Sequence, residues 1–171
     1  MTASQTSSGR VASLHIHGPK GGLPLTEVAQ IRLIAGKGIQ EDKRYFGRKS
    51  RSTGQPSRRQ VTLIEREMIA DHATTFGVEM IGAGDVRSNI ETTGVDLLAL
   101  VGHDVQVGEA IVHFYEPRTP CAKMDALIPG LREAMENGRQ GVLAFVVQSG
   151  AVVVGDVIRP IEKPVTASTS R

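Results

Sequence analysis

Cys121 is the only cysteine in this chain of 171 residues, so any chemistry that needs a soft nucleophile or a thiolate ligand falls to it. It stands in Pro117-Arg118-Thr119-Pro120-Cys121-Ala122-Lys123, where two prolines stiffen the approach and a helical turn is expected to start. Cations on both sides favour the thiolate. The alternative is a small buried hydrophobe, the usual fate of a lone thiol. A second group runs from Lys43 to Arg59 and carries seven cations, Lys43, Arg44, Arg48, Lys49, Arg51, Arg58 and Arg59, with no carboxylate. It reads either as an anion site or as a solvated loop rich in serine. The third group is Asp85-Val86-Arg87-Ser88-Asn89-Ile90, where strand alternation puts Arg87 and Asn89 on one face. A guanidinium beside a carboxamide suits a ligand with anionic and heterocyclic parts, though a solvent-facing strand reads the same way.

The remaining candidates are weaker. His15 and His17 are two apart on an expected strand, and a solvated strand face accounts for them. No local signature singles out a histidine partner for the thiol. The chain has no phosphate-binding P-loop, dinucleotide glycine fingerprint or His-Glu-x-x-His element, which removes the commonest nucleotide and zinc-hydrolase chemistries.

Short apolar runs broken by Gly, Asp and Pro must position these groups. Eight strands are expected, at 11–16, 28–34, 60–64, 87–91, 104–107, 110–115, 141–147 and 152–158, and that many short strands suggest a barrel. Helical signals are few: 65–72, one turn at 96–100, a turn at 122–127, and 131–135 after the break at Pro129-Gly130. The fold class expected is mainly β, a closed or partly open barrel with a few short helices. The domain is placed at 10–160, with 1–9 and 161–171 as tails poor in apolar residues.

Composition narrows the class further. With 20 basic and 18 acidic side chains, 40% hydrophobic and 4% aromatic residues, the chain reads as one globular domain. A single thiol excludes an internal disulfide, a four-cysteine zinc site and a self-contained iron–sulfur cluster. A net charge of +2 is too small to drive non-specific binding to nucleic acid. Neither a signal-peptide core nor an apolar run of membrane-spanning length is found, so a cytoplasmic protein without membrane or nucleic-acid partners is expected.

Four segments in order, Gly38 to Tyr45, Ser57 to Glu65, Arg87 to Leu97 and Arg118 to Cys121, together with the closing strands from Gly141 to Arg159, resemble the MOSC domain, named after the C-terminal part of molybdenum cofactor sulfurases. The resemblance implies a barrel of the pyruvate-kinase type that binds the molybdenum cofactor (molybdopterin). By the same implication Cys121 is the molybdenum ligand or a persulfide carrier, and the catalytic residue. Arg87 and Asn89 contact pterin or phosphate, and Arg58, Arg59 and Arg118 line an anionic pocket. Asp42, Lys43 and Arg44 match the family's early Asp-basic element, where Glu41 replaces the family's glycine.

Larger relatives attach an iron–sulfur or a pyridoxal-phosphate desulfurase domain, for which this chain is too short and too poor in cysteine. The implied activity is reduction of N-hydroxylated compounds, a small-molecule substrate class, with electrons from a separate reductase. The rival is a non-catalytic carrier that passes the cofactor or its sulfur to a partner enzyme.

Overall fold

The computed structural model describes residues 8–162; most of the expected tails, 1–9 and 161–171, lies outside them. Gly9 already pairs with Ile158, so the first strand starts before the expected boundary. Among the described residues eleven strands form, where eight were expected. They are β1 (Gly9–Ile16), β2 (Thr26–Val28), β3 (Gln30–Ile34), β4 (Gly38–Ile39), β5 (Val61–Glu65), β6 (Ile90–Thr93), β7 (Asp104–Val107), β8 (Ala110–Pro117), β9 (Val142–Gln148), β10 (Gly150–Val153) and β11 (Val157–Pro160). The helices are α1 (Arg66–Thr75), α2 (Lys123–Leu127) and α3 (Leu131–Ala134), with a 3-10 turn at Leu98–Leu100.

Seven strands close on themselves in the order β1-β11-β7-β8-β9-β5-β6, and β2 is added beside the far end of β1. Closure removes the free edges that would otherwise offer unpaired N–H and C=O groups. Alternation drives the interior. On β8, Ala110, Val112 and Phe114 are fully buried, while Ile111, His113 and Tyr115 are partly exposed; on β7 the inward pair is Val105 and Val107. The expected long strands at 28–34 and 152–158 each divide in two, because β3, β4 and β10 leave the barrel as a separate three-stranded sheet. Its Ile31, Leu33, Ile39 and Val152 join the barrel core.

Only β5 and β6 run parallel, and α1 makes the crossover between them that parallel neighbours require. All five residues of β5 are buried because this strand is covered on both faces. Val61 and Leu63 enter the barrel core, and Ile64 faces a second apolar cluster. That cluster joins Ile69 and Ala73 of α1 to Val86, to Met124 of α2 and to Leu131 of α3. It fixes the segment around Cys121 against the turn that precedes β6. Among the described residues no helix is long and apolar enough to cross a membrane.

Candidate functional site

Asn89, immediately before β6, organises the polar interior. Its Oδ1 accepts from the backbone N–H and the hydroxyl of Thr62, both at 3.1 Å. Its Nδ2 donates to the His15 carbonyl at 3.1 Å and to Asp42 Oδ2 at 3.3 Å. The carboxamide is therefore spent inside the protein, and its job in this geometry is to place Asp42, not to face a ligand.

Asp42 is 2% exposed. Its Oδ2 accepts from His17 Nδ1 at 2.8 Å and from the His17 backbone N–H at 3.1 Å, and its Oδ1 caps the N–H groups of Arg44 and Tyr45. Burial alone would raise its carboxyl, but the bonds and charge of His17 outweigh that and hold it below the ordinary value. Glu41 turns outward and accepts from the Arg32 N–H of β3 at 3.0 Å.

Those caps present Tyr45 to the cations. Arg44, Arg48 and Arg59 all lie within cation–π range of its ring, at 5.8, 5.4 and 5.3 Å from the centroid. The ring also packs edge-on against His17 at 4.8 Å. Burial opposes ionisation of the phenol, yet the charges of Arg59, Arg44 and Arg48 bring its pKa below the ordinary tyrosine value.

Arg118 follows β8 and is 6% exposed. One terminal nitrogen donates to the Arg87 carbonyl at 3.1 Å and to Ser88 Oγ at 3.0 Å. Among the described residues no carboxylate pairs with it. Burial, then the repulsion of Arg59, lowers its pKa to about 10, opposed by Cys121 and Tyr45, with Arg87 lowering it further. A buried guanidinium without a counter-ion is costly, and an anionic ligand removes that cost.

Arg87 corrects an expectation. It has φ 63° and occupies a left-handed turn, so it does not share a strand face with Asn89. Its guanidinium donates to the Leu23 carbonyl at 2.8 Å, tying down the 18–25 loop, and that loop also approaches Arg44 at Gly21, where a Cβ would sit 2.6 Å from the guanidinium. Arg87, Leu25, Asp85, Lys123 and Leu127 line a cleft of about 370 Å³. Arg118, Thr119 and Pro120 border a second cleft, of about 470 Å³.

Other predicted residues fall elsewhere. Arg58 is exposed and stacks over Tyr115, 4.4 Å from its centroid, outside the cluster around Tyr45 that Arg59 joins. Lys43 is exposed. Cys121 is exposed too, which removes the reading of a small buried hydrophobe and leaves the thiol open to ligands. It precedes α2, since the helical turn begins at Lys123.

His15 and His17 are not a solvated face: they are 1% and 7% exposed. His15 donates from Nδ1 to the Ser88 carbonyl at 3.1 Å. Sequence reasoning passed over His17, Tyr45 and Ser88. The usable signal for His17 was a histidine just past the end of a strand, in a chain with an aspartate, Asp42, immediately before its basic segment.

Among the described residues no three His, Cys, Asp or Glu side chains converge to hold a metal. A metal bound at Cys121 must therefore bring most of its ligands with it. The molybdenum cofactor fits this donor set, because its dithiolene carries the metal and its phosphate is an anion for unpaired guanidinium groups.

The MOSC domain family matches residues 35–159, and the chain belongs to that family. Three solved structures share the fold. YuaD from Bacillus subtilis superimposes with a TM-score of 0.71 at 21% identity, covering 88% of this chain and 94% of its own. YiiM from Geobacillus stearothermophilus gives 0.69 at 20%, covering 93% and 78%. YiiM from Escherichia coli gives 0.65 at 20%, covering 90% and 70%. A comparison with curated protein sequences finds no match.

Proposed function

We propose that this chain binds the molybdenum cofactor and uses it to reduce N-hydroxylated compounds with electrons from a separate reductase. The observation that carries the reading is Arg118, a buried guanidinium with no carboxylate partner, a few residues before an exposed thiol. Arg118, Arg59 and Arg44 would hold the anionic parts of the cofactor, and the Cys121 thiolate would hold the metal. When bound, the cofactor supplies a two-electron centre at which an N–O bond can be cleaved. Asn89 acts indirectly by fixing Asp42, and Arg87 by fixing the 18–25 loop beside the cleft.

Cys121→Ser tests this. A hydroxyl is a harder and far less acidic ligand than a thiolate, so the variant should fold as the wild type does. Its N-hydroxylamine reduction, assayed with cofactor and an external electron donor, should fall at least about 100-fold. Full activity in the variant would refute the role of the thiol. The exposure of Cys121 also suits transfer of the cofactor or its sulfur to a partner enzyme. Wild-type protein that retains molybdenum yet reduces no N-hydroxylated compound would favour that carrier role.

A further inference from the structure

The net charge of +2 conceals an uneven distribution. Seven of the 20 basic side chains fall between Lys43 and Arg59, a stretch without a carboxylate, and the other 13 stand against 18 acidic ones, a net of −5 over the rest of the chain. Six of the seven are exposed, Arg44 alone being half-buried, and none pairs with a carboxylate among the described residues. Like charges held close together repel one another, and an anionic surface laid over them removes that repulsion.

Backbone bonds draw residues 48–57 into a short arm. Lys49 bridges Pro56, the Ser50 N–H donates to the Gln55 carbonyl at 2.8 Å, and the Ser57 N–H donates to the Arg48 carbonyl at 2.8 Å. Gly54, at φ 71°, turns the tip and donates its N–H to the Ser50 carbonyl at 2.9 Å.

Both roots of the arm rest on the scaffold that holds Arg118. At the first, Asp42 caps Arg44 and Tyr45 and accepts from Asn89. Just past the second, Thr62 donates to the same Asn89, whose neighbour Ser88 accepts from Arg118 at 3.0 Å. Arg58 lies over the ring of Tyr115 at 4.4 Å, on the strand that leads into Arg118.

The composition of the arm selects its partner. Its tip, Arg51-Ser52-Thr53-Gly54-Gln55, has no apolar side chain, so it cannot form a hydrophobic interface core and suits the brief, charge-steered encounters of electron-transfer proteins. Nucleic acid fits less well, because the net negative charge of the rest of the chain repels a polyanion longer than the arm. The ring of Tyr45 is also engaged by arginines instead of being free to stack on bases. The proposed reaction, R–NHOH + 2 e⁻ + 2 H⁺ giving R–NH₂ + H₂O, breaks the N–O bond with two electrons from the separate reductase and two protons from solvent.

We propose that this cationic arm is the docking surface for an acidic face of that reductase, which it seats beside the thiol-bearing site. The proposal rests on the reductase reading and names the chemistry of its partner.

A purified acidic flavodoxin, kept reduced by NADPH and a flavodoxin reductase, serves as the probe. Its affinity for cofactor-loaded wild type should fall at least about tenfold between about 20 and 200 mM salt. Lys49→Glu combined with Arg51→Glu should lower both the affinity and the flavodoxin-driven kcat/KM at least about tenfold at low salt, while reduction driven by photoreduced deazariboflavin, an uncharged donor, stays within about twofold of wild type. Salt-independent binding, or a variant that binds flavodoxin as tightly as wild type, would overturn the docking surface. So would tighter binding of random-sequence DNA than of flavodoxin at equal salt, which would make the arm a nucleic-acid contact. Loss of the deazariboflavin-driven rate in the variant would also overturn it, by placing these cations at the cofactor. If cofactor-loaded wild type reduces no N-hydroxylated compound with either donor, the parent reading fails, and the donor role of the arm fails with it.

Discussion

Arg118 and Arg51 are both arginines of a cationic site by sequence, but only one is buried. Arg118 is 6% exposed and Arg51 lies on the open Ser-rich loop. Removing a desolvated charge-assisted contact costs about 3 kcal/mol, whereas an exposed loop charge is worth at most about 0.5. Titration with isolated cofactor should therefore show affinity falling about 100-fold in Arg118→Ala and less than about threefold in Arg51→Ala. Equal losses would remove Arg118 from its assigned place.

The two tyrosines give a second residue-level contrast. Tyr45 is brought down by three arginines despite burial, whereas Tyr115 is pushed up by burial and by Glu116, with Arg58 and Arg59 opposing. Phenolate absorbance should thus rise in two separate steps, one below and one above the ordinary value of 10.0. Tyr45→Phe should remove the lower step. A single step in the wild type would mean that the arginines do not surround the phenol. At this scale, the identities of Cys121, Asp42 and the arginines could be read from the sequence, whereas the burial of His17 and the internal use of Asn89 could not. Their partners lie 25 and 74 residues away, and no local pattern encodes such a pairing.

Elements were more legible than contacts. Inward and outward alternation along β7 and β8 made those strands evident, and Pro129-Gly130 correctly separated α2 from α3. The turn before β6 was read wrongly, because Val86 and Ile90 bracket a short polar stretch whose Arg87 and Asn89 fall at strand spacing. Tertiary bonds instead hold Arg87 at positive φ, its guanidinium on Leu23 and its carbonyl under Arg118. The division of the two long strands was also hidden, since Val28 and Ile31, like Val153 and Val157, are similarly apolar while serving different sheets.

Gly141 shows what the barrel requires of an element start. It has φ +82°, and a Cβ there would collide with the Leu63 carbonyl of β5. Gly102 has φ +93° with nothing within 4 Å. Gly141→Ala should lose about 3 kcal/mol or more, or fail to fold, whereas Gly102→Ala should lose only about 1 kcal/mol of backbone strain. Denaturant midpoints compare them, and similar losses would contradict the close approach of β9 to β5.

Over the whole molecule, the closed barrel gathers residues 17, 42–45, 59, 87–89 and 118–121 from separate connections around one cationic, thiol-bearing site. The sequence pattern predicted the barrel because its period is local, but the site arises from closure, which is not. The most direct measurement of the central claim is the molybdenum and pterin content of protein purified from a host that makes the cofactor. The wild type should carry both in roughly equal amounts, and Cys121→Ser should keep most of the pterin while losing much of the metal. Wild-type protein that contains neither, and that cannot be loaded with isolated cofactor, would contradict the account.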